Sequence, residues 1–224
     1  RHEHAPPAMM RLVTAEPPAA GPVEATFDRP MLVTRHMIGA RELTVVNVHF
    51  RAPIASPVAG QKAAPFVWRS VAGWAEGYAL SALKRSGQAL ELRLLLDAMF
   101  SADPEAMIVV AGDFNAEDHE TALRIAVGAP EDTGNAELAG RALVVLDRGI
   151  DPDRRFTVLH HGRPMMLDHI LASQAAYASV RSIEVHNETL ADEAIGVATG
   201  LEAAGSWHAP VVASFAFAGS PSPD

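Results

Sequence analysis

Val109-Val110-Ala111-Gly112-Asp113-Phe114-Asn115-Ala116 is the stretch from which the rest of the chain can be read. A short apolar run ends in Gly, followed by an acid and an amide two residues apart. If the strand persists through Asn115, its period of two places Asp113 and Asn115 on one face and Phe114 on the other, toward a core. Gly112 has no Cβ and permits close approach by another backbone or a ligand. A carboxylate beside a neutral amide oxygen suits a hard cation such as Mg²⁺, which takes oxygen ligands. Taken alone, the octapeptide reads more simply as a strand end entering an Asx-turn, with Asn115 or Asp118 capping the next helix. Residues elsewhere reverse that preference.

Upstream, Arg29 to Thr34 and Glu42 to Phe50 flank a turn at Gly39-Ala40-Arg41 and read as a β-hairpin. In the second strand, alternation sets Asn47, His49 and Arg51 on one face and Val46, Val48 and Phe50 on the other. For an isolated hairpin that polar row is an ordinary solvated face; in two packed sheets it lines a cleft. A Pro-rich loop from Ala52 to Pro65 leads to Trp68, Trp74 and a helix over about Tyr78 to Phe100. Leu80, Leu83, Leu90, Leu94 and Ala98 form its core-facing stripe, and Glu91 lies off it. The two Trp are read as packing partners of this helix. Arg1 to Thr26, rich in Pro and Ala, reads as a linker or extended strap. That gives three parts: a strap over residues 1–26, one domain over 27–218, and a tail over 219–224.

Downstream, a helix over about Glu120 to Val127 precedes a Gly/Pro/Asp-rich loop and a short strand near Val144. Arg154 to Leu159 and Met165 to Ser173 flank a hairpin turn containing His160 and His161. Neighbouring side chains diverge there, so these two His are not read as metal ligands. Asp168 interrupts the apolar run Met166-Leu167-Asp168-His169-Ile170-Leu171. A carboxylate in such a run is costly to bury unless paired, so it requires a partner. Strands near Ser182 to Val185 and Pro210 to Phe217 enclose a polar loop, and Ser206-Trp207-His208 opens the last strand.

Composition limits the function classes. The formal charge of −9 argues against broad gripping of a duplex by a basic surface, although it leaves room for a local positive site or a metal. There is no cysteine, which removes disulfides, thiolate zinc sites and cysteine nucleophiles, but assigns no compartment. No apolar run approaches the ~20 residues of a membrane span, and no signal-peptide pattern is seen. The expectation is a soluble, cytoplasmic chain. Since the first residue is Arg, the start reads as a processing or cloning boundary.

Four signals stand in order: Val46-Asn47-Val48-His49, Ala111-Gly112-Asp113-Phe114-Asn115-Ala116, Leu167-Asp168-His169-Ile170-Leu171 and Ser206-Trp207-His208-Ala209-Pro210-Val211-Val212. From Arg29 to Phe217 the chain resembles the endonuclease/exonuclease/phosphatase superfamily. The resemblance implies the α/β DNase I-like fold, a four-layer sandwich of two packed mixed sheets flanked by helices. It also implies metal-assisted phosphoester hydrolysis where strand ends meet, with Mg²⁺ or Mn²⁺ as cofactor. Asp113 and Asn115 would belong to the metal and phosphate site. His208 would be the general base or phosphorane stabiliser, oriented by Asp168. His49 would stand near the scissile phosphate, with Asn47 and Arg51 binding substrate. The substrate would be a nucleic acid or a small phosphorylated molecule, and the acidic balance tilts toward a small or single-stranded one.

Two departures carry weight. Where the family pattern ends Ser-Asp-His, with that Asp a metal ligand, this chain has Trp207, which cannot ligate Mg²⁺ and whose bulk would intrude on the ion. An early-strand Glu, another family ligand, has no match: Glu3, Glu16 and Glu24 lie among Pro and Ala. The domain is therefore expected to lack its N-terminal strands, as a fragment, a processed form, or a degenerate member that needs them from a separate chain. The alternative function is a non-catalytic member that keeps a phosphate-binding surface.

Overall fold

The computed structural model describes residues 2–27, 29–200 and 205–217. The elements that position the site are β1 (Leu32–Ile38), β2 (Arg41–His49), α1 (Val71–Ala102), β3 (Met107–Asp113) and α2 (Thr121–Val127). After them come β4 (Val144–Val145), β5 (Asp168–Ala172), β6 (Val180–Val185), α3 (Glu193–Thr199) and β7 (Val211–Phe215). Five strands make one mixed sheet in the spatial order β1-β2-β3-β5-β4. β2 and β3 are parallel and joined through α1, and the other three pairings are antiparallel.

The central strand explains its own sequence. Met107, Ile108, Val109 and Val110 are all buried, because β3 is covered on both faces and so reads as a continuous apolar run. One face packs Val46, Val48, Ile108, Val110 and Leu171 under Leu92, Leu96 and Phe100 of α1 and Leu123 of α2. Each such fully buried Leu or Phe contributes roughly 1.5–3 kcal/mol relative to exposure. On the opposite face, Met107, Val109 and Ala172 meet Val180, Ile183, Ala213 and Phe215 of the antiparallel β6–β7 pair. The sheet-on-sheet sandwich is present, with the second sheet two-stranded among the described residues. Its outer face leaves Arg181, Glu184 and Val212 exposed.

Several sequence expectations need correction. The long helix begins at Val71, not Tyr78, because Ser70 caps it by accepting the Gly73 N–H at 2.9 Å. Trp74 therefore lies within the helix, half exposed beside Tyr78, whereas Trp68 does pack on it, against Gly77. Of the expected stripe Leu80 is buried, but the rest of it faces away from the core. Leu83, Leu90 and Leu94 are 37%, 43% and 36% exposed, while Glu91 is 1% exposed. Glu91 is buried because it anchors the N-terminal strap: its carboxylate accepts the backbone N–H groups of Glu3, His4 and Ala5 at 2.6–2.8 Å. Burial opposes its charge, but these three donors outweigh that and hold its pKa below the ordinary value. Glu76 serves Val13 and Thr14 in the same way. The strap also contains a two-residue strand pair, Met9–Met10 with Val23–Glu24.

Three further differences lie downstream. The hairpin at His161-Gly162 is short, Val158–His160 with Arg163–Met165, and β5 leaves it to pair with β3. His160 and His161 do not diverge; their rings meet edge to face at 4.9 Å. The polar loop after Asn187 contains α3, whose N-cap is Asp192. The tail at 219–224 lies outside the described residues.

Candidate active site

Register brings the site together. His49 of β2 lies opposite Asp113 of β3, which lies opposite Asp168 of β5, so three strands contribute one transverse row. The row stands where the parallel strands β2 and β3 end, the position at which α/β sheets commonly bind ligands. β3 stops at Asp113, so the period-two argument for Asn115 fails. Asn115 instead takes a left-handed φ of 47° and closes an Asx-turn, its N–H donating to Asp113 Oδ1 at 2.7 Å. Its side-chain amide donates to Asp113 Oδ2 at 2.8 Å and to the Phe50 carbonyl at 3.1 Å. The acid and amide still meet, by a turn and not by alternation. Gly112, with φ 142°, allows this close pairing: a Cβ there would fall 2.0 Å from the Val48 carbonyl oxygen. Neither Asn115 nor Asp118 caps α2, which is capped at Glu120 without a side-chain bond. Asp118 pairs with Arg148 and Arg155.

His208 reaches the row from the segment just before β7. Its Nδ1 stands 2.7 Å from Asp168 Oδ2, and that geometry fixes Nδ1–H as donor and presents Nε2 outward. Thr157, fully buried, holds both partners. Its hydroxyl accepts the Asp168 and Leu167 N–H groups at 3.2 Å, and its carbonyl accepts the Ala209 N–H at 2.8 Å. No pattern in the sequence marks Thr157, which stands just before the strand Val158–His160, since a Thr beside a strand is ordinary. Trp207 does not stand free beside His208; the far edge of its indole packs on Gly196 of α3, where an added Cβ would fall 2.0 Å from the ring.

The remaining candidates are placed as follows. His49 Nε2 lies 3.4 Å from Asp113 Oδ2. Asn47 is one row further from the strand ends, exposed, with its amide on the Ala111 carbonyl at 3.2 Å. Arg51 lies past the end of β2 and turns toward Ser81 and Ser56, away from the acid cluster.

Charge follows position. The Asp113 carboxyl is pushed up to about 6, first by burial and then by the charge of Asp168. The hydrogen bond to Asp168 raises the His208 imidazole above its ordinary value, against burial and with help from the charges of Asp168 and Asp113. Burial and then Arg29 lower His49, keeping it neutral. Ligating atoms of Asp113, Asp168 and His208 all lie within 4.8 Å of one another. Two carboxylates forced together, one of them with its pKa raised, form a donor set that a divalent cation relieves. Asn115 faces Asp113 with its NH₂ and steadies that carboxylate in this arrangement.

Residues 16–190 match the Endonuclease/Exonuclease/phosphatase family. A search of curated proteins gives no match. Similar folds include a 3′ phosphatase, NExo from Neisseria, bound to a product DNA hairpin (16% identity, TM-score 0.49, covering 96% of this chain and 72% of that one). An AP endonuclease from Archaeoglobus fulgidus is similar at 17% identity and TM-score 0.47, covering 95% and 72%. The catalytic domain of APE2 from Xenopus laevis is similar at 15% identity and TM-score 0.46, covering 78% and 50%. The family match extends over most of the chain, through the row of strand ends at His49, Asp113 and Asp168. The chain belongs to the endonuclease/exonuclease/phosphatase family, metal-dependent phosphoesterases of DNase I-like fold.

Proposed function

We propose that the chain hydrolyses a phosphoester with Mg²⁺ or Mn²⁺ held by the carboxylates of Asp113 and Asp168, leaving Nε2 of the adjacent His208 free for proton transfer. The observation that carries this is the 2.7 Å His208–Asp168 pair beside Asp113 in one cluster at the strand ends. The bound ion supplies charge neutralisation on the phosphate and on the leaving oxygen. Asp168 fixes the His208 tautomer and favours its cationic form, which stabilises charge on the phosphorane; the neutral form accepts a proton from attacking water at Nε2. His49, kept neutral, offers a hydrogen bond without adding a competing charge to Asp113. Asn115 holds Asp113 in place through both of its oxygens.

Cleavage of bis(p-nitrophenyl) phosphate with Mn²⁺ or Mg²⁺, lost in EDTA and lost in His208→Ala, is the expected result. Turnover that survives EDTA would overturn the reading. A second reading, a weak or non-catalytic member, is favoured by Trp207 at the position of a family ligand. Removing a ligand or even a group behind one costs on the order of 10–100-fold. On that reading, calorimetric titration shows little Mg²⁺ binding below millimolar concentrations.

A further inference from the structure

Fewer than half of the eighteen Lys and Arg side chains stand in ion pairs with carboxylates among the described residues. Eight arginines stand in ion pairs with Asp or Glu. Of the described cations that form no ion pair, Arg29, Arg51 and Lys84 converge on one cavity of about 140 Å³. Phe27, Gln88 and His49 complete its walls. Asp113, Asn115, Asp168 and His208 do not line it, so the cavity adjoins the acid cluster through His49 alone.

The cavity is constructed around one buried amide. Gln88 Oε1 accepts the Arg51 N–H at 2.7 Å, and Nε2 donates to the carbonyls of Arg29 and His49, each at 3.4 Å. One side chain of α1 thus ties three wall segments together. Among the described residues the Arg51 guanidinium meets only hydroxyls, Ser81 Oγ at 3.4 Å and Ser56 Oγ at 3.5 Å, both long for hydrogen bonds. A half-buried guanidinium with such weak partners, beside two more cations, is stabilised by an anion. Among the described residues no carboxylate lines the wall, and three cations there favour an anion over a metal ion.

We infer that this cavity is a subsite for a second phosphate group, carried by the substrate whose scissile phosphate lies at Asp113 and His208. Resting on the hydrolase reading above, it narrows the substrate to a phosphoester flanked by another phosphate. Guanidinium and ammonium groups together match phosphate oxygens, Arg by its fork and Lys as a point charge. A neutral or lipid-like flank leaves these cations unmatched. His49 forms the wall between the two phosphates.

Binding is measured on the full chain by amide NMR in EDTA, which removes divalent metal and stops turnover. The answer then does not depend on whether the acid cluster hydrolyses anything. The probes are dithymidine monophosphate, the same dinucleotide with an added terminal phosphate at either end, and pyrophosphate. The added phosphate is expected to tighten binding about tenfold, as a charge-assisted contact allows, and to shift the signals of Arg51, Lys84 and Gln88. In R51Q/K84Q the gain should vanish. A gain with the dinucleotide points to a strand as the source; the same shifts with pyrophosphate alone point to a polyphosphate, and either supports the subsite. Equal affinity for the probes in wild type together with no such shifts from pyrophosphate, or a gain that survives in R51Q/K84Q, would overturn it. If the double variant does not fold, K84Q at its half-buried helix position carries the same comparison with a smaller loss.

Discussion

Asp168 and His169 are neighbours in sequence, and alternation along β5 sends them to opposite faces, where each joins an Asp–His pair. On the reverse face His169 Nδ1 lies 3.1 and 3.2 Å from the two oxygens of Asp147, and Nε2 lies 2.9 Å from the Ala116 carbonyl. Both ring nitrogens face acceptors, so the ring carries both protons. Burial works against that charge, but the Asp147 hydrogen bond and charge outweigh it and the pKa is raised. Arg155 completes the balance by donating to Asp147 at 2.7 Å. On the site face, His208 and Asp168 are only partly buried, and among the described residues His208 Nε2 has no hydrogen bond. The same pair of side chains is thus structural where every valence is spent and available for chemistry where one is left open. The sealed pair also supports the open one, because Ala116, which it holds, immediately follows Asn115.

Mutations should separate the two pairs. The largest expected effect is on turnover: His208→Ala should lower phosphoester hydrolysis about 10²–10⁴-fold, with urea-denaturation stability changed by less than ~1 kcal/mol. Asp147→Ala is its opposite. It leaves His169 buried without its anion, while Arg155 keeps only Asp118, and should cost about 3–5 kcal/mol of stability. Comparable stability losses in the two variants would erase the distinction between open and sealed pairs.

Asp113 sharpens the contrast from the acid side. Its carboxyl rises from an ordinary 3.8 to about 6 in the folded chain. Between those values the native state holds a proton that the unfolded chain has released, so stability falls as pH rises through the window. The full penalty, on the order of 3 kcal/mol at most, applies above about pH 6. Asp113→Asn keeps an acceptor for the Asn115 N–H and removes the charge. In EDTA at pH 7 it should melt higher than wild type, and the two should converge at pH 4. Adding Mn²⁺ should raise the melting temperature of wild type more than that of the variant. A variant no more stable at pH 7 than wild type would show that Asp113 carries no such strain.

The two faces of β5 were not equally legible in sequence. Asp168 could be noticed because an acid broke an apolar run, and the final His stood before an apolar strand. His169 stands in the same motif without a local mark, since its partner Asp147 lies on another element and spacing cannot supply it. Glu91 is illegible for the same reason: helical periodicity cannot tell a solvated acid from one buried by three backbone donors of the strap. Leu83, Leu90 and Leu94 fit a 3.6-residue stripe as well as Leu92 and Leu96 do, and only packing on β2 and β3 selects between them. The strand order and the transverse row of His49, Asp113 and Asp168 depend on register, which one sequence does not contain. Arg29, Lys84 and Gln88 carried no local signal, being ordinary residues until the hairpin and helix bring them to one cavity.

The smallest expected effect concerns the open pair itself. Asp168→Asn preserves size and an acceptor for the His208 Nδ1–H, and removes one negative charge. The charge and the charge-assisted bond are what hold the His208 pKa above its ordinary value, against burial. In the variant that pKa should therefore fall, while the charge of Asp113 still favours the cation and keeps the change from being complete. The linkage has a definite sign. A His raised in the folded state contributes stability that is full below its unfolded pKa and is lost as pH rises through the folded one. Wild type in EDTA should lose that increment on going from acid to alkaline pH, and Asp168→Asn should lose less of it. Titration of the His208 ring by NMR measures the pKa directly, and paired denaturation curves measure its energetic counterpart. His169 provides an internal reference, because its partner Asp147 is untouched and its ring should not respond. If His208 titrates unchanged in Asp168→Asn, the 2.7 Å contact does not govern its charge, and Asp113 becomes the group that does.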